Sequence, residues 1–429
     1  MLSESPVDEL HYHLARARLS NGLEVVVQHD PGAPGEAVNL YYEVGSADEE
    51  PDRTGFAHLF EHLMFQGSAQ VAPGEHMALI ESLGGTVNAT TSSDRTNYFQ
   101  TVPPGALDLV LWLEADRLAS LAITSDNFEA QRQVVKEERR QRYDNQPYGD
   151  LLELLTAQHF PGSHPYGHLP IGSMAHLDEA SLDDVATFFT RWYRPSNARL
   201  VLCGPVPTAE AFDLAERRFG HLPALPRPDR STSAWPGQLI APQVAEVVRP
   251  VPHSLTYLSW RTPVASHPDQ IALDLASSVL ADGHASRLHR ALVKDAGVAT
   301  EVHISTLPHR NAESLLAASA RPSERCTVAE LSSRLLDELA AFAETGPTEQ
   351  ELRRAQAGYE RDWLWELATA TGRADLINEH WLVFGDPASI NTHLAAVLAL
   401  TPDDLRRVVA EYLVPAAAHQ LNYLSGESR

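Results

Sequence analysis

The run Gly55-Phe56-Ala57-His58-Leu59-Phe60-Glu61-His62-Leu63-Met64-Phe65 constrains this chain more than any other feature. Its spacing predicts a helix from about Thr54 to Gln66, ended by Gly67. On such a helix residues i, i+3 and i+4 share a face, so His58, Glu61 and His62 converge on one side. Phe56, Leu59, Phe60 and Leu63 are apolar and would bury the helix in a core. Polar side chains on so apolar a helix need partners. Two imidazoles one turn apart can grip a single Zn²⁺, with the carboxylate beside them reaching a metal-bound water. Two core histidines bonded to Glu61 would satisfy the same burial, so the motif alone leaves both readings open.

Around this helix the pattern alternates strands and helices. Leu23 to Gln28 follows the Asn21-Gly22 turn and predicts an opening hairpin. Ala37 to Val44 is rich in strand formers and follows the turn signal Pro31-Gly32-Ala33-Pro34-Gly35. A helix near Gly74 to Leu83 stops at Gly84-Gly85, and strands are expected over Thr86 to Ser92 and Thr96 to Val102. Pro103 opens an amphipathic helix, and a densely charged one runs from about Ser125 to Tyr143. Seven prolines fall between Leu222 and Pro252, which reads as a linker. The pattern then restarts: a strand over Ser254 to Arg261, helices from Pro268 and Ser286, strands between Glu301 and Ala320, a charged helix over Thr348 to Trp365, and a helix start at Thr401-Pro402. The fold expected is α+β, with two similar α/β lobes of comparable element order. Their bounds are 1–222 and 253–429, joined by a Pro-rich linker over 223–252.

A chain of 429 residues is long enough for two such lobes. Its net charge of −24 argues against a nucleic-acid or anionic-membrane surface and mildly favours basic peptides or partners. An acidic surface that only aids solubility explains the charge equally well. Of two cysteines, Cys203 sits in the apolar run Leu200-Val201-Leu202 and reads as a buried thiol. No run of about eighteen apolar residues could span a membrane, and the N-terminus is acidic without an apolar core, so the expectation is a cytoplasmic protein.

The stretch from Arg53 to Gly67 resembles, almost residue by residue, the signature of the pitrilysin-like (M16) family, inverted-motif zinc metallopeptidases also called inverzincins. Two further segments strengthen the resemblance: Gly84-Gly85-Thr86-Val87-Asn88-Ala89-Thr90-Thr91, and Pro165-Tyr166-Gly167 with Pro170-Ile171-Gly172. Tyr193-Arg194-Pro195-Ser196-Asn197-Ala198 resembles the strand entry that closes the family's first lobe. In the family a glutamate some seventy-five residues beyond the second histidine completes the metal site. Here Val134-Val135-Lys136-Glu137-Glu138 fills that slot. The resemblance thus implies zinc held by His58, His62 and Glu138, with Glu137 as the fallback ligand and Glu61 as general base. It places the substrate peptide along the strand from Thr86, with Asn88 and Ala89 facing it. Seven residues before Glu138, where many relatives carry a supporting glutamate, this chain has Gln131.

Active relatives also need an arginine and a tyrosine, seven residues apart, from the later lobe. Aligned on Ser286-Arg287-Leu288 and Gly297, those positions are Val293 and Thr300. Half-length (M16B-type) chains of the family often pair, one bearing zinc and the other the Arg/Tyr pair, so that two half-clamshells enclose a chamber. The resemblance therefore implies a zinc endopeptidase subunit that forms one half of a clamshell and needs a homologous partner. A self-sufficient homodimeric peptidase and a non-catalytic scaffold subunit are the alternatives. Zinc content separates the scaffold from both enzymes, and activity of the isolated chain separates the two enzymes.

Overall fold

The computed structural model of the protein describes residues 11–230 and 239–426. They form two compact units, each centred on one mixed sheet. The acidic N-terminus, Met1 to Leu10, lies outside the described residues, and with it the expectation drawn from its sequence. Among the described residues no helix is long and apolar enough to cross a membrane.

The first sheet holds β1 (Leu14–Arg18), β2 (Glu24–His29), β3 (Glu36–Tyr42), β4 (Thr86–Thr91), β5 (Thr96–Val102) and β6 (Ala198–Gly204). Their spatial order is β1-β2-β6-β3-β5-β4. Every pairing is antiparallel except β2 with β6. The predicted opening hairpin is β1–β2, closed by a turn in which the Gly22 N–H donates to the Leu19 carbonyl. β6 is buried along its whole length, which accounts for its unbroken apolar run and for the buried Cys203 thiol. Four helices precede the second half of this unit: α1 (Phe56–Leu63), α2 (Glu75–Ser82), α3 (Leu107–Ser120) and α4 (Ser125–Arg139).

The second sheet holds β7 (Val244–Arg249), β8 (Leu255–Thr262), β9 (Ala299–Leu307), β10 (Ser314–Pro322) and β11 (His419–Ser425), in the order β7-β11-β8-β10-β9. As with β2 and β6 in the first sheet, one pair here is parallel, β7 with β11, and all other pairs are antiparallel. With β1 set aside, both sheets place their strands, numbered by appearance, as first, fifth, second, fourth, third. The expectation of two similar lobes holds at the level of strand connections.

The expected boundaries do not hold. The first unit comprises Met1–Arg140, His168–Trp235 and Leu364–Thr392, and the second Gln141–Gly167, Pro236–Trp363 and His393–Arg429. The helix Ala370–Phe384 belongs to the first unit because its polar side chains are matched there. Asn378 donates to the Asn39 carbonyl at 2.9 Å, and Arg373 bonds Gln28 Oε1 at 2.9 Å and Asp30 at 2.7 Å. Asp375 accepts from Asn39 and Tyr41 on β3. In turn α5 (Leu151–His159) packs Leu155 against Ala317 and Leu421 of the second sheet, and Gln158 donates to the Gln420 carbonyl at 3.0 Å. The linker expected over 223–252 also needs correction. Arg227 and Arg230 in its first part bind Glu43 of the first unit, and its last part contains β7. Residues 231–238 of that segment lie outside the described residues. The helix expected from Ser286 is a short wide turn, His289–Asp295.

Candidate metal centre

α1 forms where the sequence predicts it. Phe56, Ala57, Leu59, Phe60 and Leu63 are buried. Phe60 stacks on Phe188 at 5.1 Å between ring centres. With its apolar side fixed in this way, the helix turns His58, Glu61 and His62 toward α4 and β4. α4 begins at a capping box in which the Thr124 side chain accepts the Asn127 N–H. Phe128 and Val135 bury one face of α4, and Glu138 follows Val135 by three residues on that face.

The three expected ligands meet. His58 Nε2 lies 3.1 Å and His62 Nε2 3.3 Å from the same oxygen, Oε2 of Glu138. One ligand atom from each residue lies within 4.8 Å of the others, and this is the one such group among the described residues. Glu61 stands beside it. Its Oε2 is 3.2 Å from His58 Nδ1 and accepts the Thr91 hydroxyl at 2.6 Å. Burial opposes charge on His58, but the carboxylates of Glu138 and Glu61 outweigh it and push the imidazole up to about 9. The cluster thus favours a positive charge at its centre, whether a proton or a metal cation. Burial disfavours ionised Glu61, but His58 and Thr91 more than offset it and hold its carboxyl below the usual range. Two imidazoles and one carboxylate on two separate helices, with no sulfur, suit a zinc site that keeps a position open. The donor set fits that ion.

The neighbouring candidates separate clearly. Glu137 is exposed and pairs with Arg140 at 3.1 Å, so it faces away from the cluster. Gln131 lies two turns before Glu138 on the same helix and is half-buried. Asn88 and Ala89 need correction, since successive strand residues point to opposite faces. The Asn88 side chain is exposed, while Ala89 is 6% exposed. What the two share is the backbone: among the described residues β4 is an edge strand, paired only with β5. Asn88 Oδ1 accepts the Ala89 N–H at 2.9 Å. Thr91, which holds Glu61, closes the Gly84–Thr91 segment that carries the family resemblance, but nothing in the sequence assigns it this task.

Two stretches of the chain match family domains: residues 24–165 the insulinase (peptidase family M16) domain, and residues 179–359 the peptidase M16 inactive domain. The chain belongs to peptidase family M16. Zinc protease PqqE of Helicobacter pylori is 30% identical over 403 residues, covering 92% of this chain and 89% of that protein. The probable mitochondrial-processing peptidase subunit beta of Schizosaccharomyces pombe is 24% identical, over 92% of this chain and 86% of its own length. Among solved structures, a protease from Helicobacter pylori superposes with a TM-score of 0.87 at 28% identity, covering 97% of this chain and all of that one. These M16 relatives are named zinc proteases and peptidase subunits, in keeping with a zinc-dependent hydrolase.

Proposed function

We propose that this chain is the zinc-bearing subunit of an endopeptidase that cuts peptides or unfolded segments, and that it works with a homologous partner. The observation that carries the reading is the meeting of His58, His62 and Glu138 around one point with Glu61 alongside. His58 and His62 on α1 and Glu138 on α4 would hold the zinc. When bound, the ion lowers the pKa of a water in its open position and polarises a substrate carbonyl. Glu61, kept ionised, accepts that water's proton and returns it to the leaving amine. Thr91 fixes the carboxylate for this task through its hydroxyl. A peptide adding to the free edge of β4 would exchange the Asn88–Ala89 bond for main-chain bonds of its own.

The later half of the chain supports the reading that a partner is needed. Val293 packs against the second unit's core, and Thr300 lies exposed on β9 with its hydroxyl bonded to Arg321 at 2.6 Å. Neither offers a guanidinium or a phenol to the reacting carbonyl. Arg287 is committed elsewhere, paired with Glu351 at 2.6 Å. Loss of such a transition-state donor costs roughly 10²–10³ in rate. The isolated chain should therefore cleave peptides at that reduced level, and a homologous subunit bearing an Arg/Tyr pair should restore the rate. Full activity of a partner-free preparation would instead establish a self-sufficient homodimer.

A further inference from the structure

The segment Pro170-Ile171-Gly172, which the family resemblance marks without giving it a task, lies where the two metal-site helices meet. α1 begins at Gly55, which has no side chain to cap it, at φ 99°. The capping group comes from six and eight residues earlier in the chain. The Glu49 carboxylate accepts the Gly55 N–H at 2.9 Å and the Ala57 N–H at 2.7 Å, at the positive end of the helix. His168 Nε2 holds the same carboxylate at 2.9 Å, and the Glu49 side chain is fully buried. Thr54 continues the contact, its hydroxyl 2.8 Å from His176 Nδ1 and accepting the Ser173 N–H at 3.0 Å. Gly55 and Gly172 touch back to back: a Cβ on Gly172 would come within 2.3 Å of the Gly55 Cα.

The other side of the same segment grips α4. Arg139, next to Glu138, donates to the Gly172 carbonyl at 2.6 Å. Lys136 pairs with Asp178 at 2.5 Å, and Arg132 donates to the Ala180 carbonyl at 2.5 Å. Three cations on one face of the helix that supplies Glu138 thus hold the segment whose other side holds the helix that supplies the histidines.

We infer that His168 to Ala180 is a brace that sets the separation between the histidine pair and Glu138, with Glu49 and His168 as positioning residues. The inference rests on the zinc reading above. Zinc affinity and coordination geometry then depend on residues that touch none of the metal-binding side chains. The test compares wild type, His168→Ala, His168→Gln and Glu49→Gln by chelator competition for zinc, by the visible spectrum of the Co²⁺-loaded protein, and by thermal unfolding. His168→Ala should weaken zinc binding roughly ten-fold, the lower end of what supporting groups around metal sites contribute, and should alter the cobalt bands. His168→Gln keeps an N–H donor and should recover most of both. If His168→Ala does not fold, Glu49→Gln carries the same comparison. Wild-type zinc affinity and an unchanged cobalt spectrum in the folded variant would overturn the brace, whatever the melting temperature does. A wild-type chain that takes up no zinc would overturn the metal reading itself, and the brace with it.

Discussion

The two units share one strand order and one pattern of strand directions, yet among the described residues only the first gathers metal-binding side chains. In each, a helix follows the second strand of that shared order: α1 after β3, and Pro268–Ala281 after β8. Counted from the first helical residue, the third, sixth and seventh positions are His58, Glu61 and His62 in α1. In the other helix they are Gln270, Leu273 and Asp274. There Gln270 Nε2 bonds Asp274 Oδ1 at 3.0 Å, and burial pushes that carboxyl up to about 6. These positions hold one amide bonded to one carboxyl and no imidazole, where the first unit sets two imidazoles and Glu61 around Glu138. The fold repeats without the chemistry, because the chemistry needs a few residues and the sheet does not depend on them.

The largest expected contrast is in activity. Glu61→Gln should retain zinc and lower peptide hydrolysis by about 10²–10⁴-fold, the range of a general base, when assayed with the partner subunit. Asp274→Asn, which likewise turns a carboxyl into an amide on the corresponding helix of the second unit, should leave the rate alone; a comparable loss there would mean that both units carry catalytic groups. Metal affinity comes next. Glu138→Gln should cost more than the roughly 100-fold attributable to loss of an outer supporting group, whereas Glu137→Gln should cost little. The reverse ranking in a zinc titration would move the ligand to Glu137.

Acid should separate the units by stability. In the second unit, burial pushes His159 down to about 3 and His164 and His419 to about 4, with Arg261 adding to the effect on His159 and His419. These imidazoles stay neutral in the fold, while the unfolded chain protonates them below about 6.5. Their contribution is complete above that pH and is lost as pH falls from 6.5 toward 4, by at most about 1.4 kcal/mol per unit for each. His393, which burial pushes down to about 4, adds to the same loss, while Asp274 acts in the opposite sense between about 6 and 3.8, one group against four. In the first unit His76, pushed down to about 2, is set against Asp48, pushed up to about 6. Hydrogen exchange followed from pH 7 to 5 should show β8, β10 and β11 losing protection before β3, β5 and β6. Simultaneous loss would mean that the histidine cluster does not govern acid sensitivity. The smallest effect expected is that of Thr91→Val, about ten-fold in kcat with KM and zinc affinity kept, since one charge-assisted bond to Glu61 is removed.

The metal motif was legible because helical periodicity places His58, Glu61 and His62 on one face whatever surrounds them. Glu138 needed the family resemblance, since no local pattern links a position on α4 to one on α1. Strand positions were legible from β-branched runs and turn residues. The exchange of α5 and of Ala370–Phe384 between units was not, because an amphipathic helix shows that a face is buried without showing on which sheet. Glu49 reads as one more acid in an acidic loop, and only contact with His168, 119 residues later, gives it a task.

The most direct test of the metal centre is elemental analysis combined with zinc K-edge absorption on the purified chain. The account predicts about one zinc per chain, bound by two imidazoles and oxygen at roughly 2.0–2.2 Å without sulfur, and lost in His58→Ala and in His62→Ala. A wild-type chain that takes up no zinc, or one whose zinc survives both substitutions, would contradict it.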